Sequence, residues 1–242
     1  MKLSILMPAH NEEEALEKTF TGLIEELNKH KIAYELIIID DNSTDKTSGI
    51  VDHLSRQYTG VKAVHRKSES GFGKALRAGI EHISGDVVVI MMADSSDDPG
   101  DVVKYFRKIE EGYDCVFGSR FIAGGKVYDY PTLKLIINRL ANTFIRILFF
   151  IKDNDITNAF KAYRTEVIRA ISPIESDHFN ITVELPLKAI IMGFKRTVVP
   201  ISWYGRKSGV SKLKLSESMK NYLQTVMRIW INNVLNSKGG RQ

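Results

Sequence analysis

The chain has 242 residues, of which 43% are hydrophobic and 26% charged, a composition typical of soluble globular domains. Its length excludes a mini-protein that depends on disulfide bonds or metal ions for stability. It predicts one large domain, or one domain with an appended piece. A single cysteine, Cys115, excludes a disulfide framework and fits a reducing compartment. The longest apolar run, Val87–Ala93, is far shorter than the roughly 20 residues that span a bilayer. The chain turns acidic after a handful of apolar positions, unlike a signal peptide, so we expect a soluble or peripheral intracellular protein.

The formal net charge is +5, and it is distributed unevenly along the chain. Acidic and basic residues are mixed as far as Gly118, whereas Lys and Arg outnumber Asp and Glu from Ser119 onward. A basic C-terminal half indicates a polyanionic partner, namely a nucleic acid, a phosphorylated ligand or an anionic membrane. Ordinary solubility charge explains the same excess equally well.

In chain order, the first half of the sequence alternates short apolar runs with segments of helical periodicity. The runs predict strands, and a run as uniformly apolar as Val87–Ala93 is typical of a strand buried on both faces. Between the runs, apolar residues recur at steps of three and four, as on one face of a helix. This alternation predicts an α/β fold with a mostly parallel sheet and helices on both faces. The predicted strands are Leu3–Met7, Leu36–Ile39, Val61–Val64, Val87–Ala93 and Cys115–Phe117.

After the fifth predicted strand, two long segments carry an apolar stripe beside Lys and Arg. The first is predicted over about residues 132–151 and the second over residues 213–236. Both stripes fit packing on the sheet and also fit basic amphipathic helices in a membrane interface. We predict a domain over residues 1–212 that includes the first helix, then the C-terminal helix, then a flexible tail over residues 237–242. The stripes contain Ile136, Ile137, Leu140, Ala141, Phe144, Ile145, Leu148 and Phe149, and then Leu215, Met219, Tyr222, Leu223, Val226, Met227, Trp230 and Val234.

Four polar clusters lie next to the predicted strands, at the sheet edge where α/β proteins bind ligands. Neighbouring carboxylates repel one another unless a cation or hydrogen-bond donors compensate, so they fit Mg²⁺ or Mn²⁺ on a nucleotide diphosphate. Each cluster alone also fits a helix cap or a turn, and Gly71-Phe72-Gly73 is a weak dinucleotide fingerprint because residue 76 is Leu. Together they favour a nucleotide site. The clusters are Pro8–Glu12, Asp40–Ser43, Gly71–Lys74 and Asp94–Asp98.

Several of these clusters stand in segments that resemble the inverting family-two glycosyltransferases, which have the GT-A fold. The segments are PAHNEE at Pro8–Glu13, IIIDDNSTDKT at Ile37–Thr47, GDVVVIMMAD at Gly85–Asp94 and GSRF at Gly118–Phe121. Two later segments resemble the branch of dolichol-phosphate mannose synthases and polyprenyl-phosphate sugar transferases. They are DITNAFKAYR at Asp155–Arg164 and VPISWYGRKSGVSKL at Val199–Leu213. The resemblance covers about residues 3–215 and implies the GT-A α/β fold.

The resemblance also implies roles for individual residues. Asp94 matches the last acid of the Asp-x-Asp motif, which holds the metal on the donor diphosphate. The catalytic residues that the resemblance implies are Asp94, Arg120, Arg206 and Lys212. The expected nucleotide-sugar site contains Pro8, Ala9, Asn11, Glu12, Asp40, Asp41, Lys74 and Asp94. The expected acceptor-phosphate site contains Ser119, Arg120, Lys134, Arg206, Ser211 and Lys212.

The chain also departs from the family pattern. Met92 stands where the family has the first acid of Asp-x-Asp, and a thioether is a poor ligand for a hard cation. Asp94 is then the expected Mg²⁺ or Mn²⁺ ligand, with Asp97 or Asp98 as substitutes for the missing acid. The other departures are Ser96 in place of Gln, Thr132-Leu133-Lys134 in place of an Arg-rich stretch, and Asn158-Ala159-Phe160 in place of Ser-Gly-Phe.

The predicted function is transfer of a hexose from a nucleotide diphosphate sugar, of the GDP-mannose or UDP-glucose type, to a polyprenyl or dolichyl phosphate with inversion. A phosphate acceptor is already ionised at neutral pH, so it needs positioning, whereas a sugar hydroxyl needs a base. Few acids and many basic residues follow Asp129, which favours the phosphate acceptor. We expect a peripheral protein on the cytoplasmic face of a membrane, alone or with a separate membrane subunit.

The sequence leaves three alternative functions open. A family-two transferase acting on a saccharide or a protein would keep the donor site. A nucleotidyltransferase is disfavoured because no glycine-rich basic loop follows the first strand, and a catalytically silent nucleotide-sugar or lipid-phosphate binder is compatible with Met92. Nucleic acid is not an expected partner, because the basic residues are not interleaved with aromatic residues in a recognisable motif.

Overall fold

A seven-stranded sheet forms the centre of the molecule, in a computed structural model that describes residues 1–205 and 215–239. The strand order is β3-β2-β1-β4-β7-β5-β8, and all neighbours pair in parallel except at β7, which runs antiparallel to both β4 and β5. The predicted mostly parallel α/β sheet is therefore confirmed. Its strands are β1 (Leu3–Ala9), β2 (Tyr34–Asp41), β3 (Val61–Arg66), β4 (Val87–Ile90), β5 (Cys115–Ser119), β7 (Lys161–Arg164) and β8 (Arg196–Pro200).

Helices cover both faces of this sheet and divide the core into two apolar layers. One layer lies under α1, α2 and α4, and contains Phe20, Val51 and Phe106 among others. The other lies under α3 and the helices of the second half, and contains Leu76 and Val183. The helices are α1 (Leu16–Lys29), α2 (Thr47–Gln57), α3 (Phe72–Ile80), α4 (Pro99–Glu110), α5 (Thr132–Phe149), α6 (Thr165–Ala170), α7 (Ile181–Ile191) and α8 (Leu215–Gly239).

The two predicted amphipathic segments correspond to α5 and α8, and each packs on the domain by one side. Ile145 of α5 belongs to the second apolar layer, as do Val226 and Ile229 of α8. Tyr222 of α8 also meets the Thr182 hydroxyl of α7, with 2.8 Å between the two oxygens. No helix of the described ranges combines the length and the apolarity needed to cross a bilayer. The division into units at residues 212 and 236 stays a prediction.

A second, two-stranded sheet lies against the loop that follows β4. It pairs β6 (Lys126–Tyr128) in parallel with β9 (Ser202–Tyr204). Trp203 forms an isolated bridge with Asp97, and the Tyr204 NH donates to the Ser96 carbonyl at 2.9 Å. The small sheet therefore ties the segment before residue 206 to the acidic cluster after β4.

Candidate active site

Hydrogen bonds join the loops that follow β1 and β2 into one unit. Asn11, in the left-handed region with a φ of 51°, accepts from the Thr44 NH at 2.7 Å through its side-chain oxygen. Its own NH donates to the Ser43 hydroxyl at 3.0 Å. The Glu12 NH donates to the Thr47 hydroxyl at 2.8 Å. Two loops that are distant in sequence are thus held together at the carboxyl edge of the sheet.

Asp40 lies at the same edge, in register with the end of β1. Pro8 and Ala9 are the last residues of β1, and Ala9 pairs with Asp40. The Asp40 carboxylate is almost fully buried, and it accepts from the Ser43 NH at 3.1 Å through Oδ1. Its Oδ2 lies 3.1 Å from Nδ1 of His65. The structure therefore brings Pro8, Ala9 and Asp40 together with the loop that contains Asn11, as the sequence predicts.

Asp41 is committed to the protein's own structure. One carboxylate oxygen pairs with the guanidinium of Arg66, and the other accepts from the Gly71 NH at 2.7 Å. Asp41 thereby connects the end of β2 to β3 and to the start of α3. The role of Asp41 in the donor site stays a prediction, and its observed partners hold the end of β2 against the segment between β3 and α3.

The glycines before α3 are explained by close packing. A Cβ atom at Gly71 or Gly73 would collide with the backbone of residues 176–177. The Lys74 NH donates to a carbonyl in this same segment at 3.1 Å, and the Lys74 ammonium pairs with Glu69 at 3.0 Å. The resemblance to a dinucleotide fingerprint therefore reflects a tight contact between α3 and the later chain.

Asp94 follows β4 and is held in a tight turn. Its Oδ1 accepts from the NH and from the hydroxyl of Ser96, at 3.0 and 2.5 Å. Within residues 1–205 and 215–239, no three His, Cys, Asp or Glu side chains are placed to hold a metal ion together. Mg²⁺ in enzymes often uses only one or two carboxylates and completes its shell with water and substrate phosphates. The residues present therefore fit a cation that arrives with a diphosphate and is held by Asp94.

Asp97 and Asp98 are poor replacements for the acid missing at Met92. Asp97 is buried, and its carboxylate accepts from the Met92 NH at 3.0 Å. Burial raises the pKa of Asp97 to about 8 despite this hydrogen bond, and the charge of Asp94 adds to the rise. Asp97 is then largely protonated at neutral pH. Asp98 caps α4, because its side chain accepts from the Gly100 NH at 2.9 Å.

Asp97→Asn is expected to stabilise the protein increasingly as the pH rises. An Asp in the unfolded chain has a pKa of about 3.9, whereas the pKa of folded Asp97 is about 8. The folded state therefore binds the proton more tightly, and the wild type loses stability between these two values. The thermal midpoint of Asp97→Asn should exceed that of the wild type more at about pH 8 than at about pH 5. A difference that stays constant or shrinks would contradict the raised pKa.

Arg120 and Asp155 form a buried ion pair at the end of β5. The Arg120 Nε and Nη2 donate to the two carboxylate oxygens at 2.8 and 2.7 Å, and the backbone NH donates to one of them at 3.1 Å. The rings of Phe121, Tyr130 and Trp203 surround the guanidinium, with centroids 5.3, 5.5 and 5.9 Å from its carbon. Burial lowers the pKa of Arg120, but the charge of Asp155 outweighs it and raises the pKa overall. Arg120 is thus a fixed cation.

A chain of contacts connects this corner to α5. The Ser119 hydroxyl donates to Oδ1 of Asn154 at 2.6 Å, and the Asn154 amide donates to the Phe121 carbonyl at 3.0 Å. Arg139 of α5 donates to the Asn154 carbonyl at 2.8 Å, and its guanidinium carbon lies 4.3 Å from the Phe121 ring centroid. Ser119 and Arg120 are therefore linked to α5 through Asn154 and Phe121.

The other predicted acceptor residues belong to different parts of the chain. Lys134 lies in the first turn of α5, on the same helix as Arg139, and is partly exposed. The chain approaches residue 206 beside the site, because the Gly205 NH donates to the Tyr128 carbonyl at 2.8 Å. Three predicted residues lie outside the described residues, namely Arg206, Ser211 and Lys212.

Lys161 is a basic residue of the site region that the sequence did not reveal. It lies on β7 and is almost fully buried, and its ammonium donates to the carbonyls of Ile156, Asn158 and Thr182. Burial lowers the pKa of Lys161 to about 7. The sequence feature that could have identified Lys161 is a lysine within an otherwise apolar segment. Residues of the site that sequence reasoning missed are His65, Arg66, Arg139, Asp155 and Lys161.

Comparison with known proteins gives consistent results. A sequence profile described as Glycosyl transferase family 2 matches residues 4–172. The chain is 34% identical to a dolichol-phosphate mannosyltransferase of Pyrococcus furiosus, over 95% of this chain and 64% of that protein. It is 31% identical to a polyprenol monophosphomannose synthase of Mycolicibacterium smegmatis, over 86% of this chain and 80% of that protein. The chain thus spans just under two thirds of the Pyrococcus relative.

Among solved structures, glucosyl-3-phosphoglycerate synthase of Mycobacterium tuberculosis, in complex with Mn²⁺, UDP and phosphoglyceric acid, has a similar fold. The TM-score is 0.71 at 19% identity, over 95% of this chain and 78% of that chain. This likeness supports the GT-A type of α/β fold, with its mostly parallel sheet between helices. The profile match, which covers more than half of the chain, shows that the protein belongs to glycosyl transferase family 2.

Proposed function

We propose that the protein transfers a hexose from a nucleotide diphosphate sugar to a polyprenyl phosphate at a membrane surface, with inversion at the anomeric carbon. The relatives named as dolichol-phosphate and polyprenol-phosphate mannose transferases support this acceptor class. These names favour GDP-mannose as the donor, with UDP-glucose as the alternative.

The observation that carries the proposal is the link between α5 and the corner at Ser119 and Arg120. Arg139 holds the Asn154 carbonyl and stacks on Phe121, which follows Arg120 directly. A lipid phosphate bound beside Arg120 would therefore lie next to a helix whose outer side faces away from the protein. A soluble saccharide acceptor does not require such a helix.

The outer side of α5 is apolar. Its large exposed apolar residues recur at steps of three and four, so they form one stripe along the helix, opposite the side that contains buried Asn142 and Ile145. Arg146 is exposed at one edge of this stripe, as expected for a helix that lies at an anionic membrane surface. The stripe is formed by Leu133, Ile136, Leu140, Phe144 and Ile147, which are 42–68% exposed.

The proposed reaction is a single in-line displacement. An oxygen of the acceptor phosphate attacks the anomeric carbon while the bond from that carbon to the donor diphosphate breaks, and the diphosphate leaves with the electron pair. The ionised acceptor has no proton to lose, so no general base is required. Through its pair with Asp155, Arg120 would hold the corner beside the acceptor phosphate in a fixed geometry. A Mg²⁺ or Mn²⁺ ion held by Asp94 would, when bound, neutralise charge on the leaving diphosphate.

A transfer assay tests the proposal. Purified protein is incubated with a short-chain polyprenyl phosphate and radiolabelled GDP-mannose or UDP-glucose, with and without Mn²⁺. Label in the lipid phase is the expected result. Donor binding without lipid labelling would favour a saccharide or protein acceptor, or a silent binder. Absence of donor binding would contradict the donor site itself.

Peripheral association with the cytoplasmic face of a membrane is part of the same proposal. The exposed apolar stripe of α5 and its basic edge support it. Association would also bring the site to a substrate whose polyprenyl tail stays in the bilayer. A separate membrane subunit is a further expectation from the sequence.

A further inference from the structure

His65 stands between two carboxylates at the end of β3. Its Nδ1 lies 3.1 Å from Oδ2 of Asp40, and its Nε2 lies 2.9 Å from Oδ1 of Asp52. The Ser48 hydroxyl lies 3.3 Å from the same Nδ1. The Asp40 side chain is almost fully buried, whereas His65 is partly exposed and Asp52 is exposed. The imidazole thus joins a buried acid at the candidate donor site to an acid near the surface.

Only one protonation state of His65 can donate hydrogen bonds to both carboxylates. A neutral imidazole has one NH and one lone pair, so it donates to one carboxylate and turns its lone pair toward the other. The imidazolium donates to both. Burial lowers the pKa of His65, but the hydrogen bonds and charges of Asp40 and Asp52 outweigh it and raise the pKa above its ordinary value. The contacts therefore favour the charged form.

The charged groups around His65 come from each element that packs on β3. Strand β2 contributes Asp40, and Asp41 next to it is neutralised by Arg66. Helix α2 contributes Asp52. Helix α3, which also contacts β3, directs Lys74 to Glu69 and Arg77 to Asp177. The imidazole nitrogens thus lie against two carboxylates and the Ser48 hydroxyl, while the basic side chains of α3 among the described residues are paired elsewhere.

We propose that the His65 imidazolium is a positioning residue that fixes the Asp40 carboxylate for recognition of the donor nucleoside. This rests on the proposed function. One Asp40 oxygen is held by the Ser43 NH and the other by His65, so the carboxylate cannot rotate freely. Each oxygen keeps a further lone pair that can accept from a ribose hydroxyl or a base NH. His65 touches no substrate itself.

The proposal predicts that donor affinity falls when His65 loses its proton. A neutral imidazole leaves one carboxylate facing a lone pair, and Asp40 then loses the charge-assisted bond that sets its orientation. We expect nucleoside diphosphate binding to weaken about tenfold, a loss in the range of one such hydrogen bond. The donor KM should rise when His65 loses its proton. The kcat should stay constant, because His65 acts on donor binding and does not contact the bond that breaks.

The experiment compares wild type with His65→Ala and Asp52→Asn by calorimetric titration of GDP and of UDP from about pH 5.5 to pH 8.5. The ratio of the variant Kd to the wild-type Kd removes the effect of the ligand's own phosphate ionisation. For His65→Ala, the ratio should be about ten at the acid end and should approach one at the alkaline end. NMR of the imidazole protons reports the protonation of His65 directly.

Asp52→Asn keeps Asp40 and His65 but removes one of the acids that stabilise the imidazolium. It should lower the pKa of His65 and move the fall in donor affinity to lower pH by the same amount. His53→Gln, on an exposed position of the same helix, is the matched control and should change neither. Agreement between the NMR titration and the binding curve is a readout that a merely structural histidine would not produce.

Two results would overturn the proposal, and they differ from each other. If wild type binds a nucleoside diphosphate but the affinity ratio for His65→Ala is independent of pH, the role of His65 is wrong and the proposed function survives. If wild type binds neither GDP nor UDP at any pH, the proposed function fails and the proposal fails with it.

Discussion

Asp155→Ala is expected to destabilise the folded protein by about 3–5 kcal/mol and to reduce sugar transfer to background. The Asp155 side chain is fully buried and accepts three hydrogen bonds from Arg120, two from the guanidinium and one from the backbone NH. Without this carboxylate, the guanidinium is left among the rings of Tyr130 and Trp203 with no counter-ion. Thermal unfolding measures the first effect, and transfer of radiolabel to lipid measures the second.

A double variant separates stability from activity. Arg120→Met combined with Asp155→Leu removes both charges, and replacing a buried ion pair by apolar side chains is often close to neutral. We expect its stability to recover most of the loss, while transfer stays at background because the ion pair that fixes the acceptor corner is gone. Glu110→Ala is the control, because it breaks the exposed pair with Arg107 and should cost at most about 1 kcal/mol. Wild-type transfer by the double variant would exclude Arg120 from the site.

The strands of the first half were predictable because burial on both faces leaves little room for polar residues. In β1, β2 and β4 nearly every side chain is buried, so each appears in the sequence as an apolar run. Strand β7 has Lys161 and Arg164 among four residues, and β6 and β9 have three residues each. Such strands are specified by pairing with distant segments, which periodicity in one sequence does not reveal.

The same distinction applies to the site. The carboxyl edge of the sheet gathers the loops that follow the parallel strands, so their position alone predicts that Asp40 and Asp94 lie at this edge. The partners of these residues could not be found in this way. His65 is 25 residues from Asp40, and Asp155 is 35 residues from Arg120. Only the folded chain shows that Asp155 makes Arg120 a fixed cation and that His65 faces Asp40.

The apolar segment of α5 was recognised from the sequence, but its two sides were not distinguished. The predicted stripe included Ile145, which is buried in the second apolar layer, together with Leu140 and Phe144, which are exposed. Packing on the sheet and contact with a membrane use different sides of one helix. The two interpretations of the segment are therefore compatible, and the exposed side can be altered without disturbing the buried one.

Ile136→Asp combined with Ile147→Asp is expected to weaken binding to vesicles of phosphatidylglycerol and phosphatidylcholine about 100-fold. Both side chains are more than half exposed, so each can transfer apolar surface into the interface. The loss of about 1–1.5 kcal/mol per side chain is enough for this factor, and the two added negative charges near an anionic surface act in the same direction. Flotation measures binding. Transfer to a water-soluble short-chain acceptor should continue, because Arg139 and buried Ile145 are unchanged.

Met192→Asp is the matched control for this experiment, because Met192 is an exposed apolar residue at the end of α7. It should bind vesicles and transfer sugar as the wild type does. If the double variant floats with vesicles like the wild type, α5 is not the docking surface. If the double variant loses short-chain transfer to the same degree as vesicle binding, the exposed side of α5 serves the reaction itself. Docking predicts a selective loss, confined to acceptors that reside in the bilayer.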